Sequence, residues 1–136
     1  MTDSRCTVLV VEDDRDIRES LADVLTAEGY RVVTAENGRQ GLERLREETD
    51  PCIILLDLMM PVMSGGEFLA ELRANDMLAT IPVVVVSAWP DEAALVESQT
   101  QGYVKKPVSL DVLLELVARY CSKKGDVLVA RTRGSA

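Results

Sequence analysis

Few of the 136 residues pair a reactive side chain with a placement that sets it apart, and those few fall in short clusters. Glu12, Asp13 and Asp14 close an apolar run that starts at Cys6, and Asp57 interrupts the apolar stretch Pro51 to Leu58. Ser87 ends the β-branched run Ile81 to Val86, and Lys105 and Lys106 follow Tyr103 and Val104. Carboxylates a few Å apart repel by roughly 1 kcal/mol even at the dielectric of water, and by more inside a protein. Gathering them therefore calls for a cation, and a hard dication with oxygen ligands is the natural one. Mg2+ accepts one or two carboxylates and a carbonyl while keeping several waters. Solvated helix-capping acids are the competing explanation. That explanation suits Asp14, which precedes a helical pattern, and fails for Asp57, which has no helix to cap.

What the chain lacks narrows the chemistry further. There is no histidine, which excludes Ser-His-Asp and Cys-His catalysis, His-ligated zinc and a phosphohistidine on this chain. Cys6, Cys52 and Cys121 are odd in number, widely spaced and set among apolar residues, as small buried hydrophobes in a reducing compartment are; they form no metal or redox motif. No Gly-rich loop with Lys-Ser or Lys-Thr follows an apolar run, which disfavours nucleotide binding.

The net charge of −8 is unevenly spread: residues 1–118 carry −12 and residues 119–136 carry +4. So acidic a body is a poor nucleic-acid binder, and Arg119, Lys123, Lys124, Arg131 and Arg133 read as a solvated basic tail. Apolar runs such as Pro51 to Leu56 fall far short of the roughly 20 residues that span a bilayer, and no basic leader precedes one near Met1. A cytoplasmic protein with no membrane insertion is expected.

The elements that must position the reactive residues alternate along the chain. Cys6 to Val11 reads as a strand, and Ile17, Leu21, Val24 and Leu25 as a helix behind Asp14 that stops at Gly29. Tyr30 to Ala35 is β-rich, and Asn37 with Gln40 suggests a capping box for a helix carrying Leu42 and Leu45. Pro51 to Leu58 is apolar up to Asp57, then a turn leads to a helix with Phe68, Leu69 and Leu72. Ile81 to Val86 is a strand, Ala93 to Val96 a short helix, Tyr103 to Lys105 a short strand, and Ser109 to Tyr120 a helix capped by Ser109. Five strands, apolar on both faces and each followed by a helix, predict an α/β fold: a doubly wound parallel sheet with helices on both faces. Such sheets bind ligands beyond the carboxyl ends of their strands, where the polar clusters fall. Residues 5–121 are expected to form this domain and residues 122–136 a basic tail or linker stub.

Four stretches in order, Val8 to Asp14, Leu55 to Gly65, Val84 to Ala88 and Tyr103 to Pro107, resemble the receiver domain of two-component response regulators, and the likeness extends from Arg5 to about Tyr120. The resemblance implies a flavodoxin-like sheet of order 2-1-3-4-5. It implies that Asp57 accepts a phosphoryl group from a histidine kinase or histidine phosphotransfer protein, and that Glu12, Asp13, Asp57 and the Met59 carbonyl hold Mg2+, Glu12 mainly through water. Lys106 would pair with the phosphoryl group beside a cis bond to Pro107. The Ser87 hydroxyl would turn toward a phosphoryl oxygen, with Tyr103 following as the switch aromatic; Lys105 would be a bystander. The resemblance thus describes a signalling protein that catalyses its own Mg2+-dependent phosphorylation and slow dephosphorylation and acts on a downstream protein. Such transfer rests on alignment and neutralisation of the phosphoryl oxygens.

Departures from the pattern qualify these expectations. The chain between Ser87 and Lys106 is short, so the fourth helix should be short or displaced, and the coupling of Ser87 to Tyr103 is the expectation it bears on most. Met59 and Trp89, two residues beyond Asp57 and Ser87, would flank a phosphoryl group and hinder hydrolytic water; an outward Trp89 at a partner surface is the alternative. No output domain follows Tyr120, which points to a single-domain receiver. The competing classes are a phosphorylation-independent protein-binding module on the same fold and a haloacid-dehalogenase-type phosphohydrolase. The second wants an acid where Met59 stands.

Overall fold

The computed structural model describes residues 6–47 and 51–133, with residues 122–133 as backbone alone. Arg5 and residues 134–136, the outer limits of the expected domain and tail, lie outside the described residues. The element order is β1 (Thr7–Val11), α1 (Arg15–Ala27), β2 (Arg31–Ala35), α2 (Gly38–Arg46), β3 (Pro51–Leu56), α3 (Gly65–Ala74), β4 (Val83–Ser87), α4 (Pro90–Leu95), a single 3-10 turn at Glu97–Gln99, β5 (Gly102–Lys105) and α5 (Leu110–Arg133). The five strands are parallel in the order β2-β1-β3-β4-β5, the flavodoxin-like order expected.

Strand side chains alternate between two apolar layers, as a sheet covered on both faces requires. Leu9, Val11, Ile54, Leu56, Val83 and Val85 pack under α2, α3 and α4. Val8, Val10, Ile53, Leu55, Val84 and Val86 pack under α1 and α5. Burying six consecutive residues of β3 anchors the sheet and fixes where Asp57 emerges.

Local chemistry starts and stops the helices. The Asp14 carboxylate accepts from the Ile17 N–H at 3.0 Å, as a capping residue should. Gly29, at φ 96°, ends α1 in the left-handed conformation that glycine adopts without strain. The Asn37 side chain accepts from Gln40 N–H, but Gln40 Oε1 accepts from the Glu36 N–H, one residue before the cap, so the expected reciprocal box is only half formed. A complete box occurs instead at α3, between Ser64 and Glu67. Gly65 follows it because a Cβ there would lie 2.7 Å from the Asp57 carbonyl oxygen and 2.7 Å from Leu58 Cα.

The fourth helix is short, as its residue count demands. The last helix is longer than expected: α5 passes Tyr120 and continues to Arg133, so the segment expected as a tail or linker stub from residue 122 is helical as far as Arg133. No proline interrupts residues 121–133, and Gly125 costs about 1 kcal/mol relative to alanine, too little to end a helix. No helix among the described residues is long and apolar enough to cross a membrane.

Candidate functional site

The carboxyl ends of β1, β3, β4 and β5 deliver the predicted residues to one edge. Backbone pairing sets the depth: Asp57 N–H donates to the Val11 carbonyl at 2.9 Å, and Glu12 N–H to Ala35 at 3.0 Å. Glu12, Asp57 and Ser87 are buried, whereas Asp13 and Asp14 are exposed. One carboxylate oxygen each from Glu12, Asp13 and Asp57 lie within 4.8 Å of one another. Asp14 stands apart as the cap of α1, and exposed Lys105 takes no part in the cluster.

Lys106 is the cation that meets the acids. Its Nζ lies 3.0 Å from Glu12 Oε1 and 3.6 Å from Asp57 Oδ1. Burial works against its charge, but Glu12, then Asp57 and Asp13, outweigh that effect and raise its pKa above the usual lysine value. The Lys106–Pro107 peptide bond is cis, as the resemblance implied. Burial and the neighbouring Glu12 charge push the Asp57 carboxyl up to about 7, while Lys106 pulls it down. One ammonium therefore faces three carboxyl groups. The remaining need for positive charge and the all-oxygen donor set both fit Mg2+.

Ser87 Oγ accepts from the Trp89 N–H at 3.0 Å, which leaves its own proton available to another acceptor. The Ser87 carbonyl accepts twice, from Lys106 N–H at 3.0 Å and from the Tyr103 hydroxyl at 3.1 Å. Met59 N–H donates to Asp57 Oδ1 at 3.3 Å, placing that peptide beside the carboxylate. The side chains of Met59 and Trp89 are 52% and 58% exposed, so neither is packed away.

Two arginines that sequence reasoning missed hold the surrounding loops. Arg18, on α1, donates to the Glu12 carbonyl at 2.9 Å and steadies the β1–α1 loop. Arg73, on α3, donates to the carbonyls of Ala79, Ile81 and Gln99, tying the 3-10 turn to the approach to β4. Their targets are backbone oxygens, which leave no pattern in residue types.

Residues 8–118 match the response regulator receiver domain family. The chain is 39% identical over 126 residues to the sensor histidine kinase TmoS of Ectopseudomonas mendocina, covering 89% of this chain and 13% of that kinase. It is 32% identical over 117 residues to the polar-differentiation response regulator DivK of Brucella anthropi, covering 84% of this chain and 94% of DivK. The chain thus spans a small fraction of one relative and nearly all of the other. Among solved structures, the response regulator TrrA of Thermotoga maritima, in complex with Mg2+-BeF, superposes with a TM-score of 0.76 at 31% identity, covering 85% of this chain and 98% of TrrA. A profile match over most of the chain, together with the likeness in fold, means that this chain belongs to the response regulator receiver domains of two-component signalling.

Proposed function

We propose that the chain acts as a receiver that takes a phosphoryl group onto Asp57, with Mg2+ present, and signals through the resulting change at Ser87 and Tyr103. The observation that carries this reading is the setting of Asp57: buried at the end of β3, 3.6 Å from Lys106 Nζ and grouped with Glu12 and Asp13.

The donor is a phosphorylated histidine of a kinase or phosphotransfer protein, since this chain has no histidine. An Asp57 oxygen forms the new O–P bond while the N–P bond breaks, its electron pair leaving with the imidazole. Lys106 faces the charge that builds on the phosphoryl oxygens, and the Ser87 proton is available to one of them. Asp13, Asp57 and the Met59 carbonyl, with Glu12 through water, would hold Mg2+, which would supply further positive charge to those oxygens. An apolar cleft of about 360 Å³ opens beside Lys106 and Pro107, lined also by Ile17, Leu21 and Val108, and gives a donor protein an apolar seat next to the site. The downstream partner is a protein, and neither nucleic-acid binding nor membrane insertion belongs to this reading.

The test is intact mass after incubation with acetyl phosphate, with and without Mg2+, on the wild type and Asp57→Ala. A Mg2+-dependent gain of one phosphoryl group, lost in the variant, supports the reading. No adduct, while a control receiver is labelled in parallel, would turn it toward a phosphorylation-independent binding module.

A further inference from the structure

β3 contains an irregularity that decides which way Cys52 faces. Thr7 pairs with Pro51 and Val8 with Ile53, so Cys52 is an extra residue in the β1–β3 ladder. Strict alternation would place it with Ile54 and Leu56; instead it packs with Ile53 and Leu55 in the layer under α1 and α5. Bulges re-aim side chains, and this one aims a buried thiol at α5. There Cys52 meets Cys6, just before β1, and Cys121 on α5. The three Sγ atoms lie within 4.8 Å of one another, with those of Cys52 and Cys121 2.8 Å apart. The cluster sits at the amino ends of β1 and β3, the opposite end of the sheet from Asp57.

We propose that Cys6, Cys52 and Cys121 form a three-thiolate site for one soft, closed-shell metal ion of the Zn2+ or Cu+ class. Thiolates select such ions over hard ones, so the site is chemically orthogonal to the carboxylate cluster. With metal–sulfur bonds of about 2.3 Å, three sulfurs around one ion stand about 4 Å apart, so the cluster is compact enough to close on one ion once Cys52 and Cys121 part by about 1 Å. A disulfide would need only two thiols. The third, brought by the segment just before β1, is what a metal requires. Cys52 is buried, while Cys6 and Cys121 are half-buried and leave a path for the ion. Binding replaces three S–H bonds by three sulfur–metal bonds and releases the protons to solvent, with no change of oxidation state. Its structural consequence is to fasten α5 to the starts of β1 and β3.

The reduced full chain, titrated with Cd2+ alone in excess Mg2+, tests this. Thiolate-to-metal charge-transfer absorption should saturate at one equivalent, with proton release and a raised thermal midpoint. Cys6→Ser, Cys52→Ser and Cys121→Ser should each weaken binding by about tenfold or more. Cys6→Ser, at a half-buried position, is the variant least exposed to folding failure, and circular dichroism checks each fold. Three results would overturn the proposal. One is no absorption band with the reduced wild type, and another is unchanged affinity in folded Cys6→Ser. The third is a Cys52–Cys121 disulfide, read as a loss of two hydrogens, in protein that takes up no metal once reduced.

Discussion

The Tyr103 hydroxyl donates to the Ser87 carbonyl at 3.1 Å, and the same carbonyl accepts the Lys106 N–H at 3.0 Å. One oxygen thus joins Tyr103 to both residues proposed to meet the phosphoryl group, despite the short connection between β4 and β5. Tyr103→Phe removes the outer bond and keeps the ring, so stability should fall by only about 0.5–1 kcal/mol. Phosphoryl uptake should persist. Trp89, the chain's single tryptophan, has its backbone N–H on Ser87 Oγ and reports on that corner. Its fluorescence change on phosphorylation should be smaller in Tyr103→Phe at equal adduct; an identical change would remove Tyr103 from the coupling.

Asp57 gives the metal-free protein a pH dependence of defined sign. Its folded pKa of about 7 lies above the ordinary value of 3.8, so between those values the folded state holds a proton the unfolded chain has lost. Stability should therefore fall as pH rises from about 4 to about 7, by about 2 kcal/mol after solvent relaxation, and level off above. Mg2+ should reduce the fall, and Asp57→Asn should flatten it. Denaturant midpoints across this range, without metal, are the measurement; parallel curves for wild type and variant would assign the dependence elsewhere.

Gly65 is a steric requirement of the site. A methyl group there would press on backbone atoms of Asp57 and Leu58, which have no side-chain freedom with which to yield. Gly65→Ala should cost about 2 kcal/mol and slow labelling by acetyl phosphate, because the shift falls on the Asp57 carbonyl. Gly66→Ala, whose nearest contact would be Ser64 Oγ at 3.9 Å, is the control and should do neither.

The legible parts of this molecule are those in which residue type and position coincide. Asp57 ending an apolar run, Ser87 ending a β-branched one and Lys106 before Pro107 each mark a strand end, and a parallel sheet brings such ends together. The short α4 follows from counting residues between Ser87 and Lys106. The thiol cluster was not legible, because Cys6, Cys52 and Cys121 meet only through the β3 bulge and the packing of α5. Nor was the bond from Gln40 to Glu36, since the backbone geometry before α2 decides which N–H the side chain reaches. The length of α5 escaped because the amphipathic pattern that marks a helix ends before the helix does.

Val62 is the strained residue of the β3–α3 loop. At φ 69° it sits at the centre of a tight turn closed by Met63 N–H to the Pro61 carbonyl at 2.7 Å. A β-branched side chain disfavours that conformation, which asparagine tolerates better. Val62 is also 67% exposed, so replacing it forfeits little burial. Val62→Asn should raise stability by about 1 kcal/mol, read as a higher denaturant midpoint. A lower midpoint would mean that the valine side chain contributes packing that outweighs the strain.

We propose that Met59 and Trp89 set how long the phosphoryl group lasts. Both lie two residues beyond the site's reactive side chains, with their backbone N–H groups on Asp57 and Ser87, and both are more than half exposed rather than packed in the core. Apolar groups there offer no hydrogen bond to orient an attacking water, which also has to pass them. The double variant Met59→Asn, Trp89→Glu supplies polar groups at both positions and should speed loss of the phosphoryl group several-fold, with little change in uptake. Decay of the adduct by intact mass, after removal of the donor, measures it. An unchanged rate would leave Trp89 as an exposed aromatic for a partner surface, and alanine substitution at Trp89 should then weaken partner binding without touching the phosphorylated lifetime.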